Sequence, residues 1–191
     1  MALYELNKVM EKQYTLTVYC ENRIGLIGRV AVIFTRRHIN IESFIASETE
    51  IRDVYKLTIV VSSTREQLDK IVTQIEKLIE VHRAFVHEQD EVVYQEMALY
   101  KISTDQLEKQ DIEKLIRTNH ASILTITPRY FIVEKTGHQE ELLSLLHALE
   151  PYGVVEYASS GRVAIVKWSR RFHDHLKDLA MLEEDNLSIG R

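Results

Sequence analysis

The residues best suited to chemistry in this chain lie in one short run, Glu21-Asn22-Arg23-Ile24-Gly25-Leu26-Ile27-Gly28-Arg29. Asn22 can donate and accept hydrogen bonds at once, which fits the ammonium and carboxylate of an amino acid together. Gly25 has no Cβ and lets its backbone come close to a ligand. Helical spacing starts immediately after, so the N–H groups from Ile24 to Ile27 are expected to be free in a first helical turn. Such a turn attracts a carboxylate, by roughly 0.3–1 kcal/mol where it is exposed. Asn40, at the mouth of the next extended segment, offers the same dual chemistry as Asn22. The chemistry indicated is reversible capture of a small zwitterion. An ordinary helix N-cap followed by a turn asparagine would use the same residue types.

Other reactive groups are scattered. His173 and His175 stand one residue apart without a third ligand spaced near them, so no metal site is expected. His38, His82, His87, His120, His138 and His147 fall singly. Cys20, the sole cysteine, sits in an alternating pattern and reads as a reduced core residue. No HExxH, CxxC, GxxxxGK[ST] or GxSxG run occurs, and Glu140-Glu141 and Glu183-Glu184 read as solvated faces. Nothing assembles a nucleophile, a base and an orienting group, so the residues argue against a self-sufficient enzyme.

The elements that would position the loop follow from periodicity. Tyr14, Leu16, Val18 and Cys20 alternate with Thr15, Thr17 and Tyr19, which predicts a half-buried strand. Leu26, Val30, Ile33 and Phe34 share one helical face. Strands follow over 39–47 and 55–61. Ser63-Thr64-Arg65-Glu66 reads as a capping box with Ser63 as acceptor, opening a helix striped by Leu68, Ile71, Val72, Ile75, Leu78 and Ile79. Val81 to His87 closes a β-α-β-β-α-β order. Residues 88–96 carry four acids and mark the expected boundary, the alternative being a continued edge strand with a charged exposed face. The order then recurs: a strand over 97–103, a helix started by Ser103-Thr104-Asp105-Gln106 and carrying Leu107, Ile112, Leu115 and Ile116, and strands over 122–127 and 130–134. A helix with Leu142, Leu145, Leu146 and Leu149, stopped by Pro151 and Gly153, precedes strands over 154–158 and 163–168.

The fold class expected is α+β, two tandem ferredoxin-like βαββαβ domains over 14–88 and 97–168, with a charged tail over 169–191 read as a terminal helix. A net charge of −5 without a basic stripe gives no reason to expect nucleic acid. No apolar run approaches the roughly 18 residues of a membrane span. The first residues lack the cationic and apolar regions of a signal peptide, so a cytoplasmic location is the expectation. A four-stranded sheet with helices on one side leaves a face and two edges open. That predicts a homodimer or docking of the two halves.

Residues 14–61 resemble an ACT domain, a small-molecule-sensing module. The runs Glu21–Val30 and Phe34-Thr35-Arg36-Arg37-His38-Ile39-Asn40-Ile41-Glu42-Ser43, with Leu57–Val61, resemble more closely the regulatory subunit family of acetolactate synthase. Met97–Ile102, Ile126-Thr127-Pro128 and Ser160-Gly161-Arg162 lie where that family has similar segments, so the likeness runs over about 14–168. The resemblance implies a non-catalytic subunit of a transferase. It would bind a separate large subunit that holds thiamine diphosphate, magnesium and FAD, raise its activity, and make it sensitive to a branched-chain amino acid, usually valine. It also implies a homodimer through the ACT domains. Asn22, Ile24, Gly25 and Leu26 of one chain would hold the effector, and Asn40 and Ile41 of the other would complete the pocket. A free-standing tandem ACT regulator, sensing an amino acid and acting through another partner, fits the same element order.

Overall fold

The computed structural model describes residues 12–106 and 110–167. The expected tail over 169–191, with His173, His175 and Glu183-Glu184, lies outside these residues, as do Leu107 and Trp168. The first unit holds β1 (Lys12–Glu21), α1 (Leu26–Thr35), β2 (Ile41–Glu48), β3 (Val54–Ser63), α2 (Arg65–Ile75) and β4 (Val81–His87). Its antiparallel sheet has the order β2-β3-β1-β4. Tyr14, Leu16, Val18 and Cys20 of β1 and Leu57, Ile59 and Val61 of β3 form a buried layer with Val30 and Phe34 of α1 and Leu68, Ile71 and Ile75 of α2. Period two on the strands and 3.6 on the helices put these side chains into one core.

The second unit repeats the order with β5 (Val92–Ser103), α3 (Gln110–Thr118), β6 (Ser122–Ile126), β7 (Tyr130–Gly137), α4 (Gln139–Leu149) and β8 (Val154–Ser159), followed by β9 (Val163–Val166). Its sheet runs β6-β7-β5-β8, the same topology as the first. Tyr100 and Phe131 are its largest buried side chains, and the Tyr100 hydroxyl donates to the Leu142 carbonyl at 2.8 Å. The α+β class with two βαββαβ units is therefore what the chain adopts.

Three local expectations are corrected. Thr64, not Ser63, caps α2: its φ/ψ of −98°/149° is extended, and its hydroxyl accepts from Gln67 N–H at 3.4 Å. Ser63 is still paired with Lys12 in the sheet and donates to the Gln67 side chain instead. Secondly, α2 ends at Ile75, so Ile79 stands 92% exposed beyond it, and only Leu78 of that pair reaches the core. Thirdly, β5 starts at Val92 rather than Met97. Val92–Gln95 pairs β9, and Glu96–Ser103 pairs β7. In addition, Thr104–Gln106 forms a 3₁₀ turn rather than the first turn of the expected helix.

The second face of the first sheet carries Thr15, Thr17 and Tyr19 of β1, Lys56, Thr58 and Val60 of β3, and Phe85 and His87 of β4. Thr15, Thr17, Tyr19, Thr58 and Val60 are buried. The second unit covers this face: Lys56 donates to the Ala164 carbonyl, and Arg162 reaches Gln13 and Thr15. Docking of the two halves thus accounts for the face expected to be open. Burial lowers the Lys56 ammonium below its ordinary value. His87 is also lowered, chiefly by burial, with Glu91 opposing and Lys56 and Arg65 adding to the effect; among the described residues its Nε2 has no hydrogen-bond partner.

Two outcomes follow. Phe34→Ala should cost about 3–5 kcal/mol and Ile79→Ala less than about 0.5 kcal/mol in urea unfolding followed by circular dichroism. Because His87 is lowered when folded, the unfolded chain binds its proton first as pH falls. Stability contributed by neutral His87 is therefore full above about pH 6.5 and declines below it. Unfolding midpoints measured from pH 8 to pH 5 should fall less steeply for His87→Gln than for the parent chain.

Candidate functional site

The loop joining β1 to α1 places Asn22, Ile24, Gly25 and Leu26 in sequence across the start of the helix. Gly25 stands at the N-cap with φ +83°, the left-handed region that glycine enters without Cβ strain. No side chain caps α1, and its first turn holds no acid. Leu26 N–H is not free: it donates to the Arg23 carbonyl at 3.2 Å. The free donors expected from Ile24 to Ile27 are thus reduced by one. The Leu26 side chain is buried in the core, while Ile24 is fully exposed and Ile27 half exposed. This stretch therefore combines bare helix-start donors with an apolar wall.

Nearby charges are already engaged. Arg23 pairs with Glu21 at 2.8 Å, and Arg29 pairs with Glu80. The Arg29 bond holds the Glu80 carboxyl below its ordinary value. The Tyr55 hydroxyl donates to Glu48 at 2.7 Å, and that bond raises the phenol above its usual range, with nearby Asn22 opposing. Asn22 is exposed in this loop.

Asn40 and Ile41 are elsewhere. They lie past the far end of α1, whose 10 residues span about 15 Å. On the sheet, Ile41 pairs with Val61 and Cys20 with Tyr55, at opposite ends of β3. One chain therefore brings Asn22, Ile24, Gly25 and Leu26 together and leaves Asn40 and Ile41 apart from them. Asn40 is exposed, and Ile41 is half-buried against the core.

Among the described residues, no three His, Cys, Asp or Glu side chains gather as a metal site, and no helix is long and apolar enough to cross a membrane. Cys20 is buried in the core, and burial pushes its thiol up to about 11, far from a reactive thiolate at neutral pH.

Sequence reasoning missed the role of Ser160-Gly161-Arg162, the turn between β8 and β9. Ser160 anchors it: its N–H donates to the Met97 carbonyl at 2.8 Å, and its hydroxyl accepts from Met97 N–H at 2.9 Å. Gly161 sits against Ser43 and Ile45 of β2, where a Cβ would lie 2.8 Å from Ile45 Cγ1. Arg162 enters the face between the units and is 3% exposed. A lone Gly-Arg pair after a strand is the only local signal, and it points to a turn, not to a contact.

Family models match both units: the acetolactate synthase (AHAS) small subunit-like ACT domain over residues 16–83, and the small subunit of acetolactate synthase over residues 95–168. The acetolactate synthase small subunit of Mycobacterium bovis is 35% identical over 159 residues, 83% of this chain and 95% of that protein. The Bacillus subtilis small subunit is 30% identical over 163 residues, 85% of this chain and 94% of its own length. A crystal structure of the Thermotoga maritima small subunit superposes with a TM-score of 0.75 at 28% identity, covering 82% of this chain and 98% of that one.

Two glycines near the loop should respond oppositely to alanine. Gly25→Ala meets nothing within 4 Å yet must hold a left-handed φ, so it should destabilise by about 1–2 kcal/mol. Gly28→Ala, in open space within α1, should stabilise by about 0.5–1 kcal/mol. Urea midpoints of the two variants check the contrast.

Proposed function

The chain belongs to the acetolactate synthase small-subunit family, and from that premise we propose that it is the regulatory partner of a separate catalytic large subunit. It raises that subunit's activity and confers feedback inhibition by a branched-chain amino acid, valine. The thiamine diphosphate, magnesium and FAD of the reaction reside on the large subunit, and this chain supplies no catalytic group. The complex works in the cytoplasm, at the shared entry to valine, isoleucine and leucine synthesis. One observation carries the reading: the likeness runs through both units and 95% of the mycobacterial relative, not through an ACT module alone. The same coverage weighs against a free-standing amino-acid-sensing regulator.

The effector site is completed by a second copy. Asn22 and Asn40 sit at opposite ends of α1, so a two-fold axis that sets two α1 helices antiparallel would bring Asn22 to Leu26 of one chain toward Asn40 and Ile41 of the other. β2 is an open sheet edge, and Ile24, Ile27 and Val32 are exposed around α1, which supports a homodimer through these units. In the shared crevice, the effector carboxylate takes the bare N–H groups of α1 and its ammonium takes the asparagine carbonyls. Its branched side chain lies against Ile24. Occupancy favours one dimer arrangement over another, and the difference reaches the large subunit as a coupling of about 1–3 kcal/mol.

Two measurements test this. Adding the chain to purified large subunit should raise acetolactate formation, and valine should lower it; no change in either would remove the regulatory reading. Valine titrated by calorimetry should bind the parent chain and bind Asn22→Ala more weakly by about tenfold, a loss of ~1.4 kcal/mol. Equal binding by both would remove the site.

A further inference from the structure

The Arg162 guanidinium is a buried cation in mostly neutral company. Its Nη1 donates to Thr15 Oγ1 at 3.0 Å and its Nη2 to Gln13 Oε1 at 2.7 Å. It lies 3.7 Å from the centre of the Tyr94 ring. Among the described residues, the nearest carboxylate, Glu96, is 3.8 Å from Nε, beyond hydrogen-bonding distance, and Nε has no hydrogen-bond partner. Burial raises the Glu96 carboxyl above its ordinary value, against the pull of Arg162 and His138. A buried ion pair is weak evidence for stability. Here a small displacement would make or lose a charge-assisted bond.

The same turn touches the strand that opens with Asn40 and Ile41. Arg162 N–H donates to Ser43 Oγ at 3.2 Å, and Gly161 packs on Ser43 and Ile45. The pairing of β2 with β3 is irregular between Ile41 and Ser43, so this end of β2 is not locked into an even ladder. Glu42, at the irregularity, accepts from Gln13 and Ser62, and Gln13 is itself the acceptor for Arg162. A cleft of about 250 Å³ lies beside the contact, lined by Gln13, Glu42, Ser43, Glu96 and Arg162 among others. Ser160 fixes the other side of the turn to β5 through Met97.

We propose that the Ser160-Gly161-Arg162 turn is the element that couples effector occupancy at Asn40 and Ile41 to the second unit, with Arg162 as its positioning residue. This rests on the reading of Asn40 and Ile41 as effector contacts. A shift at the start of β2 moves Ser43 and Glu42, reseats Arg162 between Gln13 and Glu96, and carries β5 and β9 with it. Nothing in the coupling requires Arg162 to touch the effector.

The test uses the reconstituted complex of this chain with the catalytic large subunit, and valine as probe. Valine binding is read on the free chain and inhibition on the complex, because a change in turnover need not be mirrored in affinity. With Arg162→Gln and with Ser43→Ala, valine should still bind the free chain within about threefold of the parent, while maximal inhibition of the complex falls. Arg162→Lys, which keeps the charge but loses the fork, should retain part of the inhibition. Full inhibition in Arg162→Gln and Ser43→Ala overturns the coupling role. So does loss of valine binding by both free variants, which would make the turn a structural support. A parent chain that neither binds valine nor transmits inhibition overturns the effector reading itself, and this inference with it.

Discussion

The second face of the first sheet is the constraint on which the rest of the structure depends. Both helices of that unit lie on one side, so Thr15, Thr17, Thr58 and Val60 must be hidden by something else. A unit this small buries too modest a fraction of its surface to leave a whole sheet face in water without loss. The face is not a greasy one. It carries threonines, Lys56 and His87, and it needs hydrogen-bond partners as well as cover. The turn after β8 and strand β9 supply them in part, with Arg162 of the turn meeting Gln13 and Thr15 and the Ala164 carbonyl of β9 meeting Lys56. An interface closed by directed bonds is specified in register. Burial without partners for every group leaves its mark in the lowered Lys56 and His87.

Helix α1 sets the geometry on the other side of the sheet. Its glycine start leaves donors exposed at one end, while Asn40 and Ile41 follow the other end. The residues that suit an amino acid are thus divided by the length of a helix within a single chain. The proposed effector site would therefore need two copies to complete it. It also puts β2 in two roles at once, as an edge open to a second copy and as the strand against which the Gly161 turn rests.

Much of the fold was legible because it is local. Strict alternation from Tyr14 to Cys20 and the 3.6 spacing from Leu26 to Phe34 are statements about neighbours in sequence, and both elements lie where the pattern placed them. The bare start of α1 was legible for the same reason; that Leu26 N–H turns back to Arg23 was not. The Leu78-Ile79 stripe misled because helical spacing continues through a chain that has already turned out of the helix after Ile75. Thr64 displaced Ser63 as cap because Ser63 was still committed to the ladder with Lys12. The start of β5 was obscured by the acids at Glu88, Asp90 and Glu91, which look like a linker and not a strand. Arg162 was beyond reach for a different reason. Its partner Thr15 is 147 residues away, and no periodicity carries information over that separation.

The connection between the units is short and stiff. Only Glu88 to Glu91 separates β4 from β5, and these residues form a 3₁₀ turn closed by a reciprocal capping box, with Lys167 N–H donating to the Glu91 carbonyl at 2.9 Å. A tether of this kind makes the meeting of the two faces an intramolecular event, with an effective concentration set by its length and stiffness. Their mutual affinity can therefore be weak and the docked form still prevail. A contact that would fall apart between separate polypeptides becomes, through four tethering residues, one that can loosen and re-form without the halves ever parting.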